Sequence, residues 1–300
     1  LLRGIEGFGP AHHVHTDRLL TLSEDLPVVS VAVDAPARVQ ALHADVQRIR
    51  SRGLITLERA QLLGSAPDPA VPGIDAGEAA KLTVYVGRQE RVGGQPAFVA
   101  VCDLLHRRGL DGANALLGVD GTRWGQRERA RFFAANAEVP MMILAVGDGA
   151  AIEASLPELG ELLREPLMTL ERVRVCKRDG RLISVPHELP ARDERGRALS
   201  QKLMIYSSEG AQHEGRPLHR SLVRRLRQSG LAGATSLRGL WGFHGDHEPH
   251  GDKLLQVRRH VPVVTIVVDT PARIAGAFGI IDELTSRTGL VTSEMVPAAS

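Results

Sequence analysis

The sequence has little of what usually announces a specialised chemistry. Two cysteines, Cys102 and Cys176, stand in 300 residues, too few for a disulfide framework. Cys102 sits in the apolar-periodic segment "PAFVAVCDLLHRRG" and reads as a small core residue. No run approaches eighteen apolar residues, so the pattern holds no membrane-inserting helix. No basic-then-apolar leader opens the sequence, and a cytoplasmic location is expected. The formal net charge is +2, which gives no global field to draw nucleic acid, although Lys and Arg are dense around 216–227. The sequence also lacks G-x-S-x-G, H-E-x-x-H, a Walker loop, and a G-x-G-x-x-G between strand and helix. A non-enzymatic protein is therefore expected, with an unrecognised hydrolase as the alternative. The sequence names no cofactor.

What is present is a soluble composition, 43% hydrophobic and 24% charged, and a repeat. "KLTVYVGRQERVGGQP" at 81–96 returns as "KLMIYSSEGAQHEGRP" at 202–217, an offset of 121. "LLHRRGLDGANALLG" at 104–118 returns as "RLRQSGLAGATSLRG" at 225–239, at the same offset. A third match opens the chain. "LLRGIEGFG" at 1–9 parallels "SLRGLWGFH" at 236–244, and "LPVVSVAVDAPAR" at 26–38 parallels "VPVVTIVVDTPAR" at 261–273, both at an offset of 235. Chance does not hold register over such distances.

The third copy shows the order of elements. "KLMIYSSE" alternates and is rich in strand formers. In "RPLHRSLVRRLRQSG", Leu218, Leu222, Val223 and Leu226 share one helical face, and Gly230 closes it. "ATSLRGLWGF" and "VPVVTIVVD" are strands. Thr270 and Pro271 open a second helix that ends at Gly289, and "LVTSEMV" is a last strand. The order β-α-β-β-α-β is the ferredoxin-like, split βαβ arrangement of an α+β fold. The expected organisation is unit 1 at 1–63, a Pro/Gly/Ala-rich linker at 64–80, unit 2 at 81–175, a linker at 176–201, and unit 3 at 202–297. Unit 1 is expected to be truncated, lacking its first strand and helix, because only three residues precede Gly4 whereas 37 positions separate Lys202 from Gly239. "RLISVP" in the second linker is a candidate extra strand.

Copies one and three keep a selective polar set. Arg3, Gly4, Gly7 and Phe8 correspond to Arg238, Gly239, Gly242 and Phe243, and His12, His15 and Asp17 to His247, His250 and Asp252. Asp34, Pro36 and Arg38 correspond to Asp269, Pro271 and Arg273. Unit 2 keeps the core pattern and loses this set: Leu117 replaces the arginine, Gln126 and Arg129 the histidines, and Gly147 the aspartate. Three readings compete. His12, His15 and Asp17, with His247, His250 and Asp252, could ligate a divalent metal. Alternatively Arg3, Gly4, Gly7, Phe8, His12, His15, Asp34 and Arg38, with Arg238, Gly239, Gly242, Phe243, His247, His250, Asp269 and Arg273, could bind a small anionic ligand such as a nucleotide. In a purely structural reading Gly242 makes a turn, Phe243 packs, Arg238 pairs with Asp269, and Asp34 and Asp269 cap helices. The histidines His12, His13, His15, His244, His247 and His250 would add charge as pH falls through neutrality.

"LRGIEGFG" with "LSEDLPVVSVAVD", and "GLAGATSLRGLWGF" with "VPVVTIVVDTPARI", resemble the PII-like family catalogued as domain of unknown function 190. The resemblance covers copies one and three well and copy two partly. It implies ferredoxin-like trimers, which three tandem units would form within one chain as a pseudo-trimer. It also implies signalling loops at 7–25 and 242–260, adenine nucleotides or other small ligands in clefts between units, and a protein partner met through the loops.

Overall fold

The computed structural model describes residues 1–9, 12–16, 26–49, 53–63, 77–123, 126–129, 139–164, 166–245, 247–251 and 261–297. Unit 1 contributes β1 (Leu2–Arg3), β2 (Glu6–Phe8), β3 (Val14–Thr16), β4 (Val28–Val29), α1 (Pro36–Ile49) and β5 (Gln61–Leu63). Unit 2 contributes β6 (Ala79–Gly87), α2 (Ala97–Arg107), β7 (Gly112–Leu117), β8 (Pro140–Asp148), α3 (Gly149–Leu162) and β9 (Leu167–Arg172). After β10 (Arg174–Arg178) come the elements of unit 3: β11 (Leu199–Ser208), α4 (Leu218–Gln228), β12 (Ala234–His244), β13 (Pro262–Asp269), α5 (Pro271–Leu284) and β14 (Leu290–Pro297).

Units 2 and 3 have the strand order expected of a split βαβ motif. Unit 2 runs β9-β6-β8-β7 and unit 3 runs β14-β11-β13-β12, antiparallel throughout. Helix α4 forms as its pattern predicts, burying Leu218, His219, Leu222, Val223 and Leu226, with Gly230 following at φ 82° where a side chain would be strained. In "RLISVP" only Arg181–Leu182 pairs, in a hairpin with β10, while Ile183 and Ser184 donate to the Cys176 carbonyl. Among the described residues no helix is long and apolar enough to cross a membrane.

The central strands of units 2 and 3 are buried on both faces, which explains the near-continuous apolar strings "MMILAV" and "PVVTIVV". Met141, Ile143 and Ala145 of β8 face the helices of unit 2, while Met142, Leu144 and Val146 point the other way. On β11, Leu203 and Ile205 face the helices and Met204 and Tyr206 the opposite side. These second faces meet in a common core that gathers Leu2, Leu116, Leu144, Tyr206, Leu237 and Val264 from all three units.

Backbone pairing between units is cyclic. The first half of β12 pairs with β2 of unit 1, Ala234 opposite Phe8, and its second half pairs with β7 of unit 2, Phe243 opposite Ala113. Unit 1 meets unit 2 through the bridge Leu2–Gly118. The segments after the last strands also pass forward. β5 pairs with β9, β10 pairs with β14, and the Leu57 amide donates to the Pro297 carbonyl at 3.2 Å.

Leu144→Ala, at the common core, is expected to lower stability by about 2–5 kcal/mol, as much as Leu82→Ala in unit 2's own core. Urea unfolding checks it. A loss near zero for Leu144→Ala would mean that the second sheet face is not a core.

Candidate functional site

The duplicated residues divide between two ends of each sheet. Arg238 lies opposite Val263 on β13, and its Nη2 donates to Glu209 Oε1 at 2.5 Å. Asp269 lies at the far end of the same strand, opposite Gln201. The Arg238–Asp269 pair expected on the structural reading therefore does not form. Asp269 does not cap α5 either, whose N-cap Thr270 makes no side-chain cap bond. Its Oδ1 accepts from the Thr270 amide and its Oδ2 from the Ala232 amide, each at 2.7 Å, so it ties the end of β13 to the turn before β12. Arg273 lies beside it, with Nη1 3.8 Å from Asp269 Oδ2 and 3.1 Å from the Gly230 carbonyl it donates to. Asp34 and Arg38 repeat this arrangement on an exposed surface, with Ala35 N to Asp34 Oδ1 at 2.7 Å and the ion pair at 3.5 Å. Arg3 is exposed.

The cyclic pairing brings residues of different units together. Phe8, at the root of unit 1's loop, is 4% exposed and enters the core of unit 3. His12 stacks on it, with ring centroids 6.0 Å apart. The root of this loop thus meets unit 3 at the turn 230–234, which Asp269 and Arg273 hold from below. Glu6 of β2 faces the start of α4, 3.4 Å from Arg220 Nε and 3.9 Å from His219 Nε2. Phe243 does in unit 2 what Phe8 does in unit 3, fully buried and edge-on to His106 at 4.9 Å. The glycines permit this approach. A Cβ on Gly7 would stand 2.6 Å from the Ala234 carbonyl oxygen, and one on Gly242 would stand 2.2 Å from that of Ala113. Gly4 and Gly239 are matched too, each leaving 2.7 Å to the Cγ of Pro27 or Pro262.

Where unit 3's loop root meets unit 2, the Gly245 amide donates to the Asp111 carbonyl at 2.8 Å. Arg178 from the linker bonds Asp111 Oδ2 at 2.6 Å. Burial pushes the Asp111 carboxyl up, against the pull of Arg178. His244 is no loop residue: it ends β12, and its Nε2 donates to the Ser207 carbonyl at 2.9 Å. Burial drives its pKa down to about 4, outweighing that bond, so it adds no charge near neutral pH. This corrects its place among the titrating histidines. His12, His13 and His247 are exposed, His15 is half-buried on β3, and His250 Nδ1 bonds the Glu248 carbonyl at 2.8 Å. Asp17 and Asp252, needed for the metal reading, lie outside the described residues.

Sequence reasoning missed a cluster of charge between the units, buried at Lys81, Lys202 and Glu294 and open to solvent at Glu58. Glu58, Glu171 and Glu294, one from each unit, bring carboxylate oxygens within 4.8 Å of one another. Lys81 Nζ lies 2.7 Å from Glu294, 3.1 Å from Glu171 and 4.0 Å from Glu58. Lys202 Nζ lies 2.6 Å from Glu58 and 2.8 Å from Glu294. Burial alone would raise Glu58, yet Lys202 and Lys81 pull it down to about 2. Burial would likewise discharge Lys81, but the three carboxylates hold its pKa well above the ordinary value. The signal was available: "LITLE" at 54–58, "LMTLE" at 167–171 and "LVTSE" at 290–294 end in these glutamates, and both lysines stand in a "KL" repeated in β6 and β11.

The sequence model of the DUF190 family, described as an uncharacterised ACR, matches residues 1–62, 79–175 and 200–298. A UPF0166 protein of Aquifex aeolicus (strain VF5) is 33% identical over 102 residues, which are 33% of this chain and 94% of the relative. One unit of this chain thus matches nearly all of that protein. A crystal structure of an unknown protein from Galdieria sulphuraria aligns over 74% of this chain and 99% of its own, at 10% identity and a TM-score of 0.19.

Lys202→Met leaves buried carboxylates short of a cation and is expected to destabilise the fold by about 3–5 kcal/mol in chemical unfolding. A change below about 1 kcal/mol would mean that the cluster is solvated. His244 makes a separate prediction. Its folded pKa lies below the ordinary value of 6.5, so its contribution is complete above pH 6.5 and is lost as pH falls toward about 4. Wild-type stability should fall by about 3 kcal/mol over that window, and His244→Gln, which keeps a donor for Ser207, should flatten that part of the profile.

Proposed function

The chain belongs to the DUF190 family, and from that premise we propose that it is a PII-like regulatory protein that binds a small anionic ligand of the nucleotide class between its units. On this reading the three ferredoxin-like units form an intramolecular pseudo-trimer. Cyclic pairing of the second strands, and of the segments that follow the last strands, supports that arrangement. So does a relative whose length is that of one unit. The protein acts without catalysis, in the cytoplasm, and meets its protein partner through the loops.

The observation that carries the proposal is the seating of each loop root on a neighbouring unit, Phe8 in unit 3 and Phe243 in unit 2. A ligand at such a junction touches two units and the base of a loop at once. Binding there changes the balance between loop conformations by the difference in its affinity for them. The junction of units 1 and 3 is the better anion site: His12 stacks on Phe8 there, and Arg220 and Arg273 stand on the unit 3 side beside the carboxylates of Glu6 and Asp269. The junction of units 3 and 2 carries Asp111 and Asp179 beside Gly245 with Arg178 bonded to Asp111, and is less suited to negative charge. The middle unit, with Leu117 in place of the arginine, contributes the weakest set.

Calorimetry with ATP, ADP and AMP tests this. Saturable binding of fewer than three ligands per chain is expected. Arg273→Leu should weaken it at least tenfold, or about 1.4 kcal/mol, with the unfolding midpoint little changed because this side chain is largely exposed. No binding by any of the three, or binding indifferent to Arg273, would remove the assignment.

A further inference from the structure

The outer face of α4 carries a line of positive charge that the fold does not use. Arg220, Arg224 and Arg227 follow one another about 6 Å and then about 4.5 Å apart along the helix axis, and within about 60° of one another around it. Arg216 stands just before them, where the hairpin of residues 212–217 enters the helix. Arg216, Arg224 and Arg227 are exposed, and among the described residues they make no ion pair or side-chain hydrogen bond. Arg220 lies beside Glu6, at the junction of units 1 and 3. α4 contains no acidic residue, so its arginines three and four positions apart repel one another and weaken the helix that holds them.

Unit 2 shows that packing does not require this charge. α2 occupies the same place in its unit and buries the same kind of apolar face. Yet Gln95, Val99, Asp103 and His106 stand where unit 3 has Arg216, Arg220, Arg224 and Arg227. The remaining arginine of α4, Arg225, has a role within the chain: it turns to the other flank and pairs with Glu283 of α5 at 3.0 Å. The exposed arginines have none, and they act against helix stability.

We propose that this arginine stripe docks an acidic helix of a partner protein, whose carboxylates at i, i+4 and i+7 meet the guanidinium groups of Arg216, Arg224 and Arg227. Charge complementarity sets the chemistry, because a planar guanidinium takes a carboxylate bidentately. The neighbours of the stripe set the width. Glu283 on α5 keeps its side chain 54% exposed, and Glu214 at the hairpin tip is exposed as well. A helix about 10 Å across needs only the stripe itself. A nucleic-acid duplex or an anionic bilayer is broad enough to cover the acidic neighbours too, and meets like charge there. α4 holds no Phe, Tyr or Trp on which a single strand could stack its bases. The residues around the arginines, Ser221, Gln228 and Ser229, offer no apolar group to a membrane. The stripe lies on a helix rather than on the loops, and no nucleotide is needed for this contact.

The test is titration of the intact chain, without nucleotide, with a labelled alanine-based helical peptide that carries glutamates at i, i+4, i+7 and i+11. Fluorescence anisotropy follows binding. Saturable binding of one peptide per chain is expected, weakening as salt is added. A peptide of the same composition with its glutamates spread around the helix should bind at least tenfold more weakly. Arg224→Glu should weaken binding of the patterned peptide at least tenfold and leave the unfolding midpoint unchanged or higher. Arg107→Glu, the same charge change on α2, should leave binding as it is. No saturable binding, equal binding of the scrambled peptide, or binding indifferent to Arg224→Glu would overturn the docking surface. Tighter binding of a DNA duplex or of phosphatidylserine vesicles, lost in Arg224→Glu, would assign the stripe to phosphate and overturn the acidic helix as its occupant.

Discussion

Everything else in this molecule depends on a strand that serves two sheets. β12 is eleven residues long, and only its first part is needed to complete the sheet of unit 3. The remainder lies along β7 of unit 2, while β2 of unit 1 lies along its beginning. An antiparallel pair satisfies its backbone donors and acceptors only in register, and a slip of one residue turns every side chain to the opposite face. Phe243 must therefore fall into the core of unit 2, Phe8 into that of unit 3, and the glycines beside them must lie where carbonyl groups pass too close for a Cβ. The positions of the loops follow from this register, because both leave from the shared strands.

The architecture was legible in the sequence because it is written in repetition. The offsets of 121 and 235 gave the copies, and alternation and capping gave βαββαβ within a copy. The functional reading was harder, since one residue set can be retained for two reasons. Gly7, Gly242, Phe8 and Phe243 are duplicated, and the structure supplies a packing reason for each of them. Asp269 and Arg273 hold the turn before β12, and Arg238 pairs with Glu209 rather than with Asp269. No pattern within a single copy could disclose that Asp269 and Phe8 serve the same junction, because they belong to different units. The central glutamates escaped notice for a similar reason. A carboxylate near the end of an apolar strand reads as a solvated edge until three of them are seen to face one point.

Burying Lys81, Lys202 and Glu294 is an expensive way to fill space, as hydrophobic groups of similar size would pack there without desolvation. What charge gives instead is alignment. An apolar core tolerates small rotations of one sheet against another, whereas an ammonium group 2.7 Å from one carboxylate and 3.1 Å from the next does not. The cluster ties Lys81 to Glu294 and Lys202 to Glu58, each a contact between units, and so fixes their mutual orientation at one point while the shared strands fix it at another.

The forward passage of chain from each unit to the next has an evolutionary consequence. Where identical subunits assemble, any change in one gene appears at every interface simultaneously, and a substitution useful at one junction must be tolerable at all of them. Here the crossings at β5 and β10 make the neighbours parts of one gene, so each junction can be altered alone. The divergence is already visible: Arg178 bonds Asp111 at one junction, whereas Ala232 and Asp269 occupy the matching turn at another. Surfaces repeated within one chain are in this way separately heritable.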